Sequence, residues 1–413
     1  MAAVGVVGCG TAGAAAAILL ARAGHDVTVL ERVPAPRPVG AGILVQPTGQ
    51  AALARLGLYE QVAARSARID RLWLRAPGGR TLVDLHYAAC DPGWFGLGVH
   101  RGVLFEALYR AACAEPRVRV CAGRDIRALR RDGARHLALD AAGDAHGPFD
   151  LVVIADGATS GLRAAAGAVR RDAPYPWGAL WFIAEDRDRV YRGELYQIAS
   201  RARRLYGVLP TGLGPGDGET PVVSLFWSLA ARELDAWRSG GLAAWKAEVS
   251  ALDPRIGFAL DRIDSPDQLV FARYRDVQMR RWHEPGVVFV GDAAHAASPQ
   301  LGQGANLALL DALVLADCVA AAPSLAAALD DYARNRRRHL RYYQRMTRWL
   351  TPLFQSDSRV LGWLRDWTFP LANAIGPLRR HMIRTMAGVA LGFGPSQLAL
   401  PTGAASAAGE PMS

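Results

Sequence analysis

The stretch from Val4 to Glu31 constrains this chain more than any other. VGVV (4–7) is a short apolar run, and Gly8-Cys-Gly-Thr-Ala-Gly13 matches G-x-G-x-x-G. Ala14–Ala23 is alanine-rich and helical, Gly24 stops it, and VTVLE (27–31) is a second buried strand. Strand, turn, helix and strand make one β-α-β unit, which starts a parallel sheet. Gly8 permits the tight turn, Gly10 lets a pyrophosphate approach the backbone, and Gly13 lets helix and strand pack closely. The helix opens at Thr11 and Ala12, where free N–H groups and a partial positive charge favour phosphate. Glu31, at the end of the second strand, suits the hydroxyls of an adenosine ribose and disfavours a 2′-phosphate. The motif in this setting predicts a tightly held dinucleotide, FAD or NAD. Cys9, inside the loop, reads as a small filler.

Composition and local patterning limit the remaining classes. Five cysteines (Cys9, Cys90, Cys113, Cys121, Cys318) contain no C-x-x-C pair, which suggests neither a disulfide framework nor a zinc site and fits a reducing cytoplasm. The N-terminal apolar run is broken by Gly8, Gly10 and Gly13 and does not read as a secretory signal. No uninterrupted apolar run reaches the length of a membrane span, so no transmembrane segment is expected. The formal charge is +10, with Lys246 the single lysine. This arginine-rich balance reads as a solvated basic surface, and without a binding motif it does not predict a nucleic-acid partner. Basic residues are densest in RNRRRHLRYYQRMTR (334–348). That run leaves a peripheral contact with an anionic membrane face or an acidic partner open.

Further along, two runs between Ile69 and Tyr87 flank PGG (77–79) as a hairpin. WGALWFIAE, GELYQIAS, RLYGVLP and PVVSLFWSL (177–229) are short aromatic-rich strands without intervening helices, the signature of an antiparallel sheet. LVVIADG (151–157) and VVFVGD (287–292) are apolar strands ending in an acidic turn and belong with the first sheet. From Ala305 the text is helical, and the final PTGAASAAGEPMS (401–413) lacks large apolar residues. The predicted fold class is α/β (α+β overall): a Rossmann-like dinucleotide-binding domain interleaved with an antiparallel-sheet domain, plus C-terminal helices. The expected boundaries are 1–67, 95–172 and 268–322 for the first domain and 68–94 with 173–267 for the second. A helical region over 323–395 and a disordered tail over 396–413 complete the chain.

A second glycine-rich loop, GDAAHAASPQLGQGAN (291–306), also opens a helix. Together with the first loop and DLVVIADGATSGLR (150–163), it resembles the fingerprints of group A, p-hydroxybenzoate hydroxylase-like FAD-dependent monooxygenases. VGAGILVQP (39–47) and VHRGVLFEAL (99–108) are similar to segments of the same family, and the resemblance covers roughly residues 1–390. LTPLFQSDSRVLGWLRD (350–366) looks closest to the tail of ubiquinone-biosynthesis hydroxylases. The resemblance implies FAD as cofactor, NAD(P)H as transient reductant, and dioxygen. One oxygen atom would reach an aromatic or polyketide-like small molecule through a flavin C4a-hydroperoxide.

On that resemblance the cofactor site comprises Gly8, Gly10, Thr11, Ala12, Gly13, Glu31, Arg32, Arg37, Gly42, Arg101, Ile126, Asp156 and Gly157. The second loop adds Gly291, Asp292, Pro299, Gly302, Gly304, Ala305 and Asn306. Asp292 would face the ribityl chain and Arg101 would reach toward the flavin. Gly302–Asn306 would bring a helix N-terminus under the ring. Pro299 and Gly302 would border the reacting centre, with Arg204 and Tyr196 as substrate-activating candidates beside Tyr206 and His86. Trp177, Trp181, Phe182, Phe226 and Trp227 would suit a flat apolar substrate or form core. His295 is expected to support the loop's packing, and no metal site is expected. A halogenase lacks support here, because WGALWFIAE is not the W-x-W-x-I-P motif and Lys246 lies in a surface-like helical stretch. A geranylgeranyl-reductase-type flavoenzyme and a non-catalytic flavin-binding accessory protein remain the alternatives.

Overall fold

A computed structural model describes residues 1–37 and 40–400. Val39, the first residue of VGAGILVQP, and the tail from 401 to 413 lie outside the described residues. The first sheet runs in the order His283–Glu284, Val287–Phe289, Leu151–Ile154, Ala3–Val7, Asp26–Glu31, Val118–Ala122. All neighbours are parallel except the first pair. The apolar runs read as strands because both faces are covered: Leu151 to Ile154 are wholly buried. The helix Gly304–Ala321 packs against the helix Thr11–Arg22, deep in this domain. It is long and apolar enough to span a bilayer, yet most of it is buried, as an apolar helix inside a core must be.

A second sheet runs Val270–Met279, Val169–Glu185, Pro221–Ala230, Arg204–Leu213, Gly193–Ser200, Ala67–Arg75, Gly96–His100, Gly42–Val45. Thr81–His86 pairs off this path with Ala67–Arg75. The sheet is not purely antiparallel: Gly193–Ser200 runs parallel to Ala67–Arg75, where strands far apart in the chain meet. Gly42–Val45 and Gly96–His100, expected within the nucleotide-binding spans, hydrogen-bond to each other and continue this sheet instead. Gly98 makes that layering feasible, because a Cβ there would sit 1.9 Å from the Pro210 carbonyl oxygen. A three-stranded antiparallel sheet (Ile126–Asp132, Arg135–Asp140, Ala145–Phe149), not anticipated from the sequence, completes the β-structure.

The pleat sorts side chains of the second sheet onto two faces. Leu180, Tyr196, Tyr206, Leu225 and Trp227 pack under helices Leu234–Gly240 and Leu242–Leu252, against Trp237, Trp245 and Val249. The alternate residues, including Trp181, Gln197, Gly207, Leu209 and Phe226, therefore take the other face. Part of that face is covered by the C-terminal helices Leu325–Phe354, Arg359–Ala374 and Gly376–Met386, through a cluster containing Leu74, Leu205, Phe354 and Met386. Residues 396–400 do not follow the expectation of disorder. Leu398 donates its N–H to Val389 carbonyl, and Leu398 and Leu400 pack on that cluster. Two leucines suffice to fix this part of the tail.

Candidate functional site

The first glycine loop is shaped by close approach. A Cβ on Gly13 would lie 2.0 Å from the Gly8 carbonyl oxygen, and one on Gly8 (φ 96°) would lie 2.6 Å from that of Ala155. At Gly10, by contrast, nothing lies within 4 Å of where a Cβ would stand, which leaves its backbone open to a ligand. The helix that follows has no side-chain N-cap and no acid in its first turn, so its leading N–H groups are not satisfied by side chains. Glu31 is held by two backbone donors, Cys9 N–H at 2.7 Å and Val33 N–H at 2.9 Å. Burial, then the nearby Glu31 charge, pushes the Cys9 thiol up to about 12, so it is an inert filler. Arg32, next to Glu31, and Arg37 are both exposed. Ile126 is buried in the apolar core.

Asp156 follows the central strand. One of its carboxylate oxygens is buried with no protein partner, and burial raises its pKa above the usual carboxylate value. A buried, unpartnered acceptor beside Gly8 and the open Gly157 fits a bound group rich in donors, as FAD is. Arg163, with no exposure, ties this turn to the second loop. It donates to Asp172 at 2.7 Å, to Ala158 carbonyl at 2.7 Å and to Ala293 carbonyl at 2.8 Å.

The second loop touches the first, because a Cβ on Gly291 (φ 58°) would lie 2.9 Å from that of Ala12. Its start is fixed by Asp311, which is fully buried. One Asp311 oxygen accepts from Gly291 N–H at 2.8 Å and lies 2.5 Å from His295 Nε2, and the other accepts from Arg336 Nε at 2.8 Å. Burial alone would push the carboxyl up, but His295 and Arg336 outweigh it and hold it at about 2. Arg336 in turn meets His339 Nδ1 at 3.0 Å, and His339 Nε2 meets Gly388 carbonyl at 2.7 Å. Burial, then Arg336, lowers His339 to about 3, which keeps the ring neutral. His295 is thus part of the loop's foundation, 3% exposed and engaged.

Beyond this foundation the loop opens. Asp292 is exposed, and its Oδ1 lies 3.9 Å from where a Gly304 Cβ would stand. Pro299–Leu301 form one tight turn, and Gly302 adopts the left-handed conformation (φ 61°, ψ 27°). The helix Gly304–Ala321 then starts without a side-chain cap. Pro299 and Gly304 are exposed, and Gly302 and Ala305 are half-buried. Asn306 latches the turn, donating to Gly302 and Leu44 carbonyls, each at 3.0 Å, and accepting from Gln46 N–H at 2.8 Å. Arg101 is exposed at the same cleft and lies across Gly40, 2.9 Å from a Cβ built there. Gly42 joins this edge to the second sheet by donating its N–H to Ser224 Oγ.

The second sheet supplies an apolar wall. Leu44 touches Gly302 and clusters with Ile69, Leu195 and Leu209. The rings of Trp181 and Phe226 are 5.2 Å apart, and Trp181 donates to Tyr274 hydroxyl at 3.2 Å. Gly207 leaves room for the Phe226 ring, which a Cβ would meet at 2.1 Å. Gln197 and Tyr274, on or beside this face, are not legible from sequence because single polar residues in apolar strands carry no periodic signal.

Tyr196 and Arg204 do not join this cleft. They point to the face covered by helices, since the pleat gives them the parity of Tyr206. Tyr196 is buried under Arg255 and 5.4 Å from Trp73. Arg204 lies over Trp227 and pairs with Glu233 and Glu248. Tyr206 is buried with Tyr191 and Asp253, and His86 pairs with Asp84. Phe182 and Trp227 likewise pack on the covered face. Among the described residues no cluster of three or more His, Cys, Asp or Glu side chains suits a metal.

Comparisons with known proteins agree with this geometry. The family model described as "FAD binding domain" matches residues 1–347. The chain is 30% identical to 6-methylpretetramide 4-monooxygenase of Streptomyces rimosus, over 75% of this chain and 72% of that protein. It is 28% identical to ubiquinone hydroxylase UbiL of Rhodospirillum rubrum, over 94% and 90% of the two chains. Its fold is similar to that of Klebsiella pneumoniae HpxO complexed with FAD and uric acid, with TM-score 0.79, 20% identity, and 94% and 98% coverage.

Asp311 yields two predictions. Asp311→Asn should leave Arg336 buried without its counter-charge, lowering stability by about 3–5 kcal/mol and weakening flavin retention. Urea unfolding and the flavin absorbance of the purified variant measure both. Asp311 and His339 both have folded pKa values below their unfolded ones, so both stabilise at neutral pH and lose that contribution on acidification. Stability should fall below pH 6.5, as unfolded His339 gains its proton, and more steeply below about 4, where Asp311 joins it. A thermal midpoint unchanged between pH 7 and 3 would contradict this.

Proposed function

The chain belongs to the FAD-binding-domain family and is an FAD-dependent monooxygenase, and from that premise we propose that it hydroxylates a flat, largely apolar aromatic or polyketide-like molecule, with NAD(P)H as transient reductant. The observation that carries this reading is the pairing of an open, glycine-built loop (Pro299–Gly304) with the apolar cluster of Leu44, Ile69, Leu195 and Leu209, which meets it at Gly302. Bound FAD supplies the redox chemistry and the activation of dioxygen.

The chain's own residues then divide the work. Gly10 and the first N–H groups of the helix from Thr11 would hold the pyrophosphate, and Glu31 the adenosine ribose. Asp156 and Asp292 would accept hydrogen bonds from the cofactor's hydroxyls. The uncapped helix at Gly304 would present its partial positive charge to the cofactor's ring and favour negative charge there. Trp181 and Phe226 would receive the substrate ring, while Gln197 and the Tyr274 hydroxyl offer polar handles that orient it. Tyr274 is kept neutral, its pKa pushed up to about 12 by burial, so it positions rather than deprotonates. The apolar wall excludes water from the reacting face. The chain carries one G-x-G-x-x-G unit, at Gly8–Gly13, which supports transient rather than resident binding of the nicotinamide. Five free cysteines support work in a reducing compartment such as the cytoplasm. The reductase-type alternative is not favoured, since the matched relatives are monooxygenases.

The test is a panel of phenols, quinolones and fused-ring aromatics added to the FAD-loaded protein with NADH or NADPH under labelled dioxygen. A cognate class should accelerate reductant oxidation and acquire one labelled oxygen atom. Trp181→Ala should lower kcat/KM for that compound by about tenfold or more with an unaltered flavin spectrum. Turnover that leaves every product free of the label would refute the proposal.

A further inference from the structure

The helix Arg359–Ala374 is docked by one face and apolar on the other. Arg365, with no exposure, donates to the carbonyls of Arg201 at 2.7 Å and Leu353 at 3.0 Å and pairs with Asp366. Gly362 is pressed against the strand-connecting turn, where a Cβ would lie 2.7 Å from Ala202 N, and Asn373 accepts from Asp84 N–H. Solvent should therefore meet the opposite face, which in a soluble protein is polar. It meets Val360 (70% exposed), Trp363 (61%), Trp367 (61%) and Leu371 (60%), spaced three, four and four residues apart in one stripe. Leu364, Ile375 and Leu378 widen it. Seven of the thirteen exposed large hydrophobic residues among those described fall between Val360 and Leu378.

We propose that this stripe is a docking surface for an anionic lipid bilayer, with the two tryptophans inserted at the headgroup boundary. Charge selects the occupant. Within 359–386 the cations are Arg359, Arg365, Arg379, Arg380 and Arg384, and the one acid, Asp366, is already paired with Arg365. A second copy of this chain would oppose like-charged arginines across the contact, whereas an anionic surface complements them. Tryptophan is suited to such a boundary, being apolar over most of its ring with one polar N–H. The basic run on the long helix joins the same region. Arg334, Arg337, Arg338, Arg341 and Arg345 line a groove closed by Phe393. Phe393 stacks on Trp349 and packs against His381 of the last helix. The basic run alone, as read from sequence, lacks an apolar anchor, and the stripe supplies it.

Docking stands independently of the monooxygenase reading, but one consequence rests on that reading. On its inner side the helix sets Phe369 against Phe354, in the cluster to which Phe226 of the cleft wall also belongs. The bilayer would thus lie across the C-terminal helices from Phe226, near a source of lipophilic substrate.

The test uses the full-length, FAD-loaded protein with vesicles of phosphatidylcholine alone or mixed equally with phosphatidylglycerol. Co-sedimentation with the mixed vesicles is expected at low salt, falling as salt rises, with quenching of tryptophan emission by brominated acyl chains. The combined Trp363→Ser, Trp367→Ser and Leu371→Ser variant should partition about tenfold less or weaker still, with the flavin spectrum and thermal midpoint of the parent. Arg379→Gln with Arg380→Gln should weaken binding and flatten its salt dependence. Equal partition of the serine variant, no partition at all, or a dimer in sedimentation equilibrium that the serine variant dissolves would each overturn the proposal. Because the flavin spectrum and the vesicle pellet are separate readouts, loss of one does not imitate loss of the other.

Discussion

The carboxylate of Asp311 carries the rest of the site. It has no contact with water, and its two oxygens gather Gly291 N–H, His295 and Arg336. An isolated buried charge is costly, so these partners are obligatory. Satisfying them forces three distant segments together: the loop from Gly291, the helix Gly304–Ala321 and the long helix Leu325–Phe354. His339 extends the chain of contacts to Gly388, which brings in the segment after the last helix. Arg163 acts as a second brace, fixing the turn after Asp156 to Ala293 of the same loop. The loop is held from beneath on two sides, which frees its upper surface from any structural duty.

That division between buried and open groups explains how one scaffold presents both ends of a dinucleotide. The buried members, Asp311, Arg336, Arg163 and Asn306, are engaged by protein. Open groups, such as Gly10, Gly304 and the exposed Asp292, are those that a bound FAD would use. Ala12 and Gly291 touch, so the two glycine loops form one crevice rather than two sites. The second sheet adds the wall that gives the crevice a chemical identity. Gly42, Leu44 and Asn306 fix the distance between wall and loop through direct contacts.

Much of this was legible in the sequence, for identifiable reasons. Both glycine loops, the central strands and the Asp156–Gly157 turn are local signals, set by backbone geometry that few other residues tolerate. The nucleotide end therefore reads directly. What failed was face assignment in the second sheet. WGALWFIAE carries aromatic residues at both parities, Trp181 toward the cleft and Phe182 away from it, so hydrophobicity cannot tell the faces apart. Tyr196 and Arg204 were candidates for that reason, and pairing register alone sends them to the helix-covered side. Membership of Gly42–Val45 in the second sheet depends on long-range pairing, which leaves no local trace. The same holds for the outward stripe on Arg359–Ala374. An amphipathic pattern has the same period whichever face meets the core.

A single FAD would span both loops, anchored at Gly8–Gly13 and presented to chemistry at Gly302–Asn306. Hydrogen exchange measured on flavin-stripped and flavin-reloaded protein tests it most directly. Backbone amides in both segments should gain protection together on reloading, while the helix-covered strands around Tyr206 change little. Protection confined to the first loop, with Gly302–Asn306 exchanging at the same rate with and without FAD, would contradict it.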